Sequence, residues 1–116
     1  MAADQNGAQA TNGHQPVIRT FARGWLAKPP EFAHSDEGVA VCRLLVIGEA
    51  AGPASSPPRV SLYLRGVEAE RCAYNLREGD LIEGVGVLGP ERKSALRQEV
   101  LVDKRVKLWQ RAGVAA

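Results

Sequence analysis

Apolar residues alternate strictly with polar, cationic or aromatic ones in one segment of the chain, residues 59–65. The two sets are Val60, Leu62 and Leu64 on one side and Arg59, Ser61, Tyr63 and Arg65 on the other. A period of two is that of a β-strand, so one face is apolar and the other carries two guanidinium groups and an aromatic ring. Guanidinium groups donate paired hydrogen bonds to phosphate, and aromatic faces stack on unpaired bases. This face is therefore predicted to contact a nucleic-acid strand.

The first-rank candidates on this face are Arg43, Arg59, Tyr63 and Arg65, where Arg43 comes from the preceding predicted strand. Tyr63 is the predicted stacking residue, and simple packing of its ring is the alternative. A second group of cations, Arg92, Lys93 and Arg97, lies in the segment from Gly89 to Gln98. We interpret this segment as a net-positive hairpin able to wrap a strand, with an ordinary solvated turn as the alternative.

A second interleaved pattern occupies the first predicted strand. Arg19, Phe21, Arg23 and Trp25 point the same way at a spacing of two. Cations with aromatics suit a nucleic-acid surface, but exposed aromatics on an edge strand equally suit pairing between subunits. Both interpretations stay open, so Arg19 and Arg23 are second-rank nucleic-acid candidates, and Phe21 and Trp25 are candidates for an oligomer interface.

Signals for catalysis, cofactors and metals are absent from the sequence in any specific form. The two histidines, His14 and His34, have no nucleophile or acid clustered around them, and no GxxxxGK[ST] loop is present. Gly84 and Gly86 fall inside a predicted strand, where glycine marks a bend or a close backbone approach. We predict a non-catalytic protein without cofactor or metal.

Two cysteines thirty residues apart, Cys42 and Cys72, form no CxxC motif. Two buried, reduced thiols are favoured over a disulfide. The 116 residues carry 15 basic and 13 acidic side chains, a net charge of only +2, which excludes a polycation of the histone type. Eleven of the basic residues are arginine. Since no segment resembles a signal peptide or a membrane span, we expect a cytoplasmic, nucleoid-associated protein with no membrane partner.

The elements that must position these residues follow from hydrophobic periodicity. The predicted strands are 16–26, 38–47, 60–64, 81–88 and a last strand whose inward residues are Val100, Val102, Val106 and Leu108. A short helix is predicted between the third and fourth strands, burying Ala69, Cys72, Ala73 and Leu76. This order predicts an all-β fold, a five-stranded OB-fold Greek-key barrel with one short helix.

Domain boundaries are predicted from composition. Residues 1–15 lack a hydrophobic period and are expected to form a disordered tail. Residues 16–110 form the predicted OB-fold domain, and residues 111–116 a short, frayed C-terminal end.

Several of these segments together resemble the bacterial single-stranded DNA-binding protein family. Gly24 and Leu26 followed by Pro30-Glu31 are similar to the family's opening, GVAVCRL to its second strand, and RVSLYLRG to its third. REGDLIEGVGVL matches its Lys-Gly-Asp turn and following strand, and Tyr63 falls where the family carries a stacking aromatic. The resemblance implies an OB-fold, single-stranded DNA as ligand, and homodimers or homotetramers joined through the first strand.

The chain departs from the family pattern in two places. Gly48-Glu49-Ala50 and Pro57-Pro58 stand where the family supplies stacking aromatics, and RAGVAA stands where it has a long tail with an acidic tip. We therefore expect a specialised plasmid, phage or conjugative-element relative, or a protein closer to primosomal replication protein N.

The sequence thus predicts a homo-oligomer that binds single-stranded DNA in replication, recombination, repair or conjugative transfer, with a replication or recombination protein as a further partner. The alternative is an OB-fold accessory subunit that binds proteins and has little affinity for nucleic acid. Clustering of Arg43, Arg59, Arg65 and the hairpin cations Arg92, Lys93 and Arg97 on one face favours the first hypothesis, and scattering favours the second.

Overall fold

A computed structural model describes residues 17–89 and 98–113. Within these ranges the strands are β1 (Arg19–Leu26), β2 (Glu31–His34), β3 (Ala40–Ile47), β4 (Arg59–Arg65), β5 (Leu81–Leu88), β6 (Gln98–Val102) and β7 (Lys107–Gln110). Helix α1 (Val67–Asn75) lies between β4 and β5. No helix in these ranges is long and apolar enough to cross a membrane.

Five of the strands close into a barrel in the order β1-β3-β4-β6-β5, because β1 pairs with β5 as well as with β3. The β4–β6 pair is parallel and the other barrel pairs are antiparallel. β2 is added to β3 and β7 to β5. The predicted OB-fold barrel is confirmed, with its helix after the third barrel strand.

The barrel interior is filled by the apolar side of the alternating strands. Leu44, Leu62 and Ile82 have no exposed surface, and Val100 is 2% exposed. The predicted side of α1 covers one end of this core, since Ala69 and Cys72 are fully buried and Ala73 packs against the same cluster. Both cysteines are buried and reduced, as expected.

Close backbone approach explains the glycines of β5. A Cβ on Gly86 would lie 2.0 Å from the carbonyl oxygen of Leu101, and one on Gly84 would lie 2.7 Å from a methyl carbon of Leu62. Gly86 faces β6, and Gly84 faces the interior side chain of β4. The glycines therefore permit β5 to approach its neighbours where the barrel closes, in agreement with the prediction.

The prediction of one continuous last strand is wrong. The structure has two strands there, with β6 paired to β4 and β5 and β7 paired to β5 alone. The backbone between them is held by α1: the Val106 N–H donates to Glu68 Oε2 at 2.6 Å, and the Val106 carbonyl accepts from Arg71 Nη2 at 2.8 Å. Val106 is buried as predicted, whereas Leu108 is 38% exposed instead of facing inward.

The start of the C-terminal end also differs from the frayed segment expected. Asp80 is fully buried, and its carboxylate accepts from the Arg111 side chain at 2.9 Å and from the Ala112 N–H at 2.7 Å. The Arg77 N–H donates to the same carboxylate at 2.8 Å. Asp80 thus joins the turn after α1 to the chain that follows β7. Residues 114–116 and the tail at 1–15 lie outside the described residues.

Candidate nucleic-acid interface

The pairing of β3 with β4 brings the first-rank candidates onto one surface. Arg43 lies opposite Tyr63, Val41 opposite Arg65, and Ile47 opposite Arg59. Cys42, Leu44, Leu62 and Leu64 lie inside, and the three arginines are exposed outside. Ser61 was predicted to lie on the outward face but is only 5% exposed, at the point where β6 pairs with β4. We call the outward side formed by Arg43, Arg59, Tyr63 and Arg65 the β3–β4 face.

The spacing on the β3–β4 face suits an extended ligand. Arg65 is two residues from Tyr63 and diagonal to Arg43, so these three side chains are neighbours on the sheet. Arg59 lies four residues along β4 from Tyr63, roughly 13 Å at the strand rise of about 3.3 Å. The three arginines therefore form a strip on one face, which is the part of the predicted cation cluster that the described residues contain.

Arg59 and Arg65 are exposed, and neither makes an ion pair or a side-chain hydrogen bond with another residue in the described ranges. A guanidinium without a protein acceptor has its N–H donors in water, where a phosphate can take the place of water at little cost. These two side chains are the cations of the face best prepared for phosphate.

Arg43 is held differently. Its Nε donates to Glu99 Oε2 at 2.9 Å, and its Cζ lies 5.1 Å from the centroid of the Tyr63 ring. Glu99 belongs to β6 and was not among the residues chosen from the sequence. A signal was present, because Glu99 alternates with the inward residue Val100 and must therefore point outward beside β4.

A shallow pocket of about 130 Å³ adjoins the ring of Tyr63. It is lined by Glu31, Phe32, Ala33, Val41, Cys42, Arg43 and Tyr63. One wall comes from β2, a four-residue strand that was not predicted. The β3–β4 face is thus extended at one end by an additional edge strand.

The second-rank cations of β1 lie in other surroundings. Arg19 forms two hydrogen bonds with the Asp103 carboxylate, at 2.6 and 2.9 Å. These bonds raise the pKa of Arg19 and lower that of Asp103. Arg23 is 4.0 Å from Glu83, and its Cζ lies 4.9 Å from the ring of Trp109. The structure therefore does not join Arg19 and Arg23 to the β3–β4 face.

The aromatic residues of β1 remain exposed, Phe21 by 62% and Trp25 by 43%. Between Arg19 and Arg23, β1 pairs with β5 on one side only, because its pairing with β3 is restricted to Trp25 and Leu26. A partly unpaired edge and two exposed aromatic rings therefore lie on the same strand, β1.

The hairpin cations Arg92, Lys93 and Arg97 lie outside the described residues. Within the described ranges, no group of three or more His, Cys, Asp and Glu side chains is placed to hold a metal ion. Burial raises the pKa of the Cys42 thiol to about 11 and that of Cys72 to about 12, so both stay protonated at neutral pH. Neither thiol is a nucleophile.

Comparison with known proteins gives structural relatives only. No family model and no curated protein matches the sequence. The structure is similar to the SSB domain of a Synechococcus protein, with a TM-score of 0.64 and 18% identity over 81% of this chain and 98% of that one. It is similar to the second single-stranded DNA-binding protein of Mycobacterium smegmatis, with a TM-score of 0.66 and 17% identity over 80% and 89% of the two chains.

A third similar structure is the mitochondrial single-stranded DNA-binding protein of S. cerevisiae, with a TM-score of 0.68 and 8% identity over 84% of this chain and 99% of that one. In each case the likeness extends over most of both chains while few residues are identical. The resemblance inferred from the sequence is therefore confirmed for the fold: this chain has the OB-fold of these single-stranded DNA-binding proteins.

Proposed function

We propose that the protein is a non-catalytic, single-stranded DNA-binding protein of the family that its sequence resembles. The observation that carries the proposal is the strip of Arg59, Tyr63, Arg65 and Arg43 on one outward face of a closed OB barrel. The OB-fold binds oligonucleotides on the face formed by its second and third barrel strands, which are β3 and β4 here. The similarity to three single-stranded DNA-binding proteins supports the same conclusion.

The proposed binding mode is dominated by charge. Arginines contact phosphates, and Tyr63 supplies limited stacking, since it is the only aromatic residue of β3 and β4. Arg92, Lys93 and Arg97 are proposed to add phosphate contacts from the hairpin. Such binding depends steeply on salt and discriminates little between sequences. The cellular process proposed is DNA replication, recombination, repair or conjugative transfer.

We further propose that the protein is a homodimer or homotetramer joined through β1. The half-open edge of β1, with Phe21 and Trp25 exposed beside it, supports this arrangement. Arg19 and Arg23 are already paired with carboxylates, which leaves them less available to a polyanion than Arg59 and Arg65 are.

The experiment that tests the β3–β4 face removes its free cations. Arg59→Gln with Arg65→Gln should lower the affinity for an oligo(dT) strand and reduce the slope of log K against log salt by about 1.4, at about 0.7 per lost phosphate contact. Arg77→Gln, an exposed arginine after α1, is the matched control and should change neither quantity. Fluorescence anisotropy at several salt concentrations measures both.

Equal losses in the double variant and in the control would contradict the proposed face. Wild-type protein that binds no single strand even at low salt would instead favour the OB-fold accessory subunit, which binds other proteins.

A further inference from the structure

Arg43 makes two contacts that both bear on DNA binding. Its Nε–H is donated to Glu99, so this donor is not directed at solvent. Its Cζ lies 5.1 Å from the centroid of the Tyr63 ring, within the range of a cation–π contact. Arg43 is therefore engaged by two contacts within the protein, unlike Arg59 and Arg65.

The fold fixes Glu99 in the position to do this. β6 runs parallel to β4, with Glu99 paired to Ser61 and Leu101 paired to Tyr63. The Glu99 side chain is 17% exposed, against 43% for Arg43. A carboxylate so covered is screened less than a fully exposed one, and it competes for the guanidinium with the same chemistry as a phosphate oxygen.

We infer that Glu99 is a positioning residue of the single-strand-binding face: it holds Arg43 beside Tyr63 in the unbound protein and competes with a DNA phosphate for the guanidinium. Binding shifts the Arg43 donors from Glu99 toward phosphate. This inference rests on the proposed function. It assigns to an acidic residue a direct part in setting the affinity for a polyanion.

The competition has a signature in the affinity. In the wild type, a DNA phosphate competes with the Glu99 carboxylate for the Arg43 guanidinium. Glu99→Gln removes the competing carboxylate while Arg43 stays in place. The affinity for oligo(dT) should rise about two- to fivefold, the usual range for losing one partly exposed ion-pair competitor.

A double-mutant cycle separates this role from general repulsion between Glu99 and DNA. In an Arg43→Gln background, Glu99→Gln should give a smaller gain, because the Arg43 guanidinium is no longer present to be released. Glu31→Gln is the matched control, since Glu31 lies opposite Arg43 in the sheet but hydrogen-bonds to Lys28 at 2.6 Å. It should raise the affinity less than Glu99→Gln does.

A gain of equal size in both Arg43 backgrounds, or an equal gain from Glu31→Gln, would overturn the role of Glu99 while leaving the proposed function in place. Failure of the wild type to bind oligo(dT) at low salt would contradict the proposed function itself. If Glu99→Gln does not fold, the Arg43 Nε–H resonance of the wild type serves instead. It should shift when oligo(dT) is added, and an unchanged resonance at saturation would overturn the inference.

Discussion

Tyr63 bears most of the stacking that the β3–β4 face can offer. The positions where the resembled family carries further aromatics are Gly48-Glu49-Ala50 and Pro57-Pro58 in this chain. A single ring, which Arg43 also contacts, should stack on one base. The proposed binding of single-stranded DNA therefore depends on one aromatic ring and a few guanidinium groups.

Tyr63→Ala should weaken binding to oligo(dT) about tenfold, since stacking is worth on the order of 1–3 kcal/mol per base. Tyr63→Phe should retain the affinity because the ring remains. Tyr74→Ala, which removes a 78% exposed tyrosine from α1, is the control. Anisotropy gives the affinity and circular dichroism verifies folding; a folded Tyr63→Ala protein with wild-type affinity would refute the stacking role.

Asp80 is a residue whose importance is structural. Its fully buried carboxylate accepts hydrogen bonds from Arg77, Arg111 and Ala112. Asp80→Ala leaves two backbone N–H groups and a guanidinium without their acceptor, so the free energy of unfolding should fall by about 2–3 kcal/mol. Urea denaturation measures this loss. A loss below about 0.5 kcal/mol, the level of an ordinary surface substitution, would contradict the account.

The strands themselves depend on glycine where the barrel closes. Gly86→Ala would place a Cβ 2.0 Å from the carbonyl oxygen of Leu101, so β5 and β6 must separate. We expect a loss of about 3 kcal/mol or more in the free energy of unfolding, in the range of severe overpacking. Gly52→Ala, where a new Cβ meets nothing within 4 Å, should be close to neutral. Thermal unfolding measures both variants. Similar midpoints would argue against close backbone approach as the reason for glycine at position 86.

Helix α1 holds the segment between β6 and β7 through Glu68, whose carboxylate accepts hydrogen bonds from Arg71 and from the Val106 N–H. Burial tends to raise the pKa of Glu68, but these hydrogen bonds lower it overall from its ordinary value of 4.5. The folded protein therefore holds this proton less tightly than the unfolded chain does. The stability that results is present above about pH 4.5 and is lost as the pH falls through the lowered pKa.

Glu68→Gln should therefore reduce stability at pH 7 and reduce the loss of stability on acidification below pH 4.5. Some acid sensitivity should remain, because the pKa of Asp103 is also lowered by its bond with Arg19. Urea denaturation between pH 7 and pH 3 tests this. If the free energy of unfolding of Glu68→Gln depends on pH as that of the wild type does, the hydrogen bonds of Glu68 do not stabilise the fold.

The elements that could be predicted from sequence are those whose side chains alternate against the core. β3 shows this period throughout and β4 shows it except at the buried Ser61, so the exposure of their arginines could be predicted. β2 has four residues after Pro29-Pro30 and shows no such period. The break before β7 was hidden because Val106 continues the inward pattern of Val100 and Val102, while the bonds that bend the chain come from a helix more than thirty residues away.

The same reason explains what was missed in the candidate site. The Arg43–Glu99 contact joins residues 56 positions apart, and the partner of each cation cannot be read from local pattern. In the sequence, Arg19 and Arg23 show the same spacing of two as Arg59 and Arg65 and could be ranked below them only by the strand on which they lie. Their long-range partners, Asp103 and Glu83, separate the two groups.

At the scale of the whole molecule, assembly is the first quantity to measure. Phe21→Asp places a charge on the exposed ring position of β1 and should convert the proposed oligomer to monomers. Tyr74→Asp, on α1, should leave the mass unchanged. Size-exclusion chromatography with light scattering reports both. A wild-type monomer, or an oligomer that survives Phe21→Asp, would contradict assembly through β1.

A chain with a net charge of only +2 is proposed to bind a polyanion. Arg43, Arg59 and Arg65 lie on one face, so the distribution of charge matters more than the total. The direct measurement is anisotropy of a fluorescent oligo(dT) and of a matched duplex, titrated with wild-type protein at several salt concentrations. Tight, salt-sensitive binding to the single strand alone is the expected result, and no binding to the single strand at low salt would contradict the account.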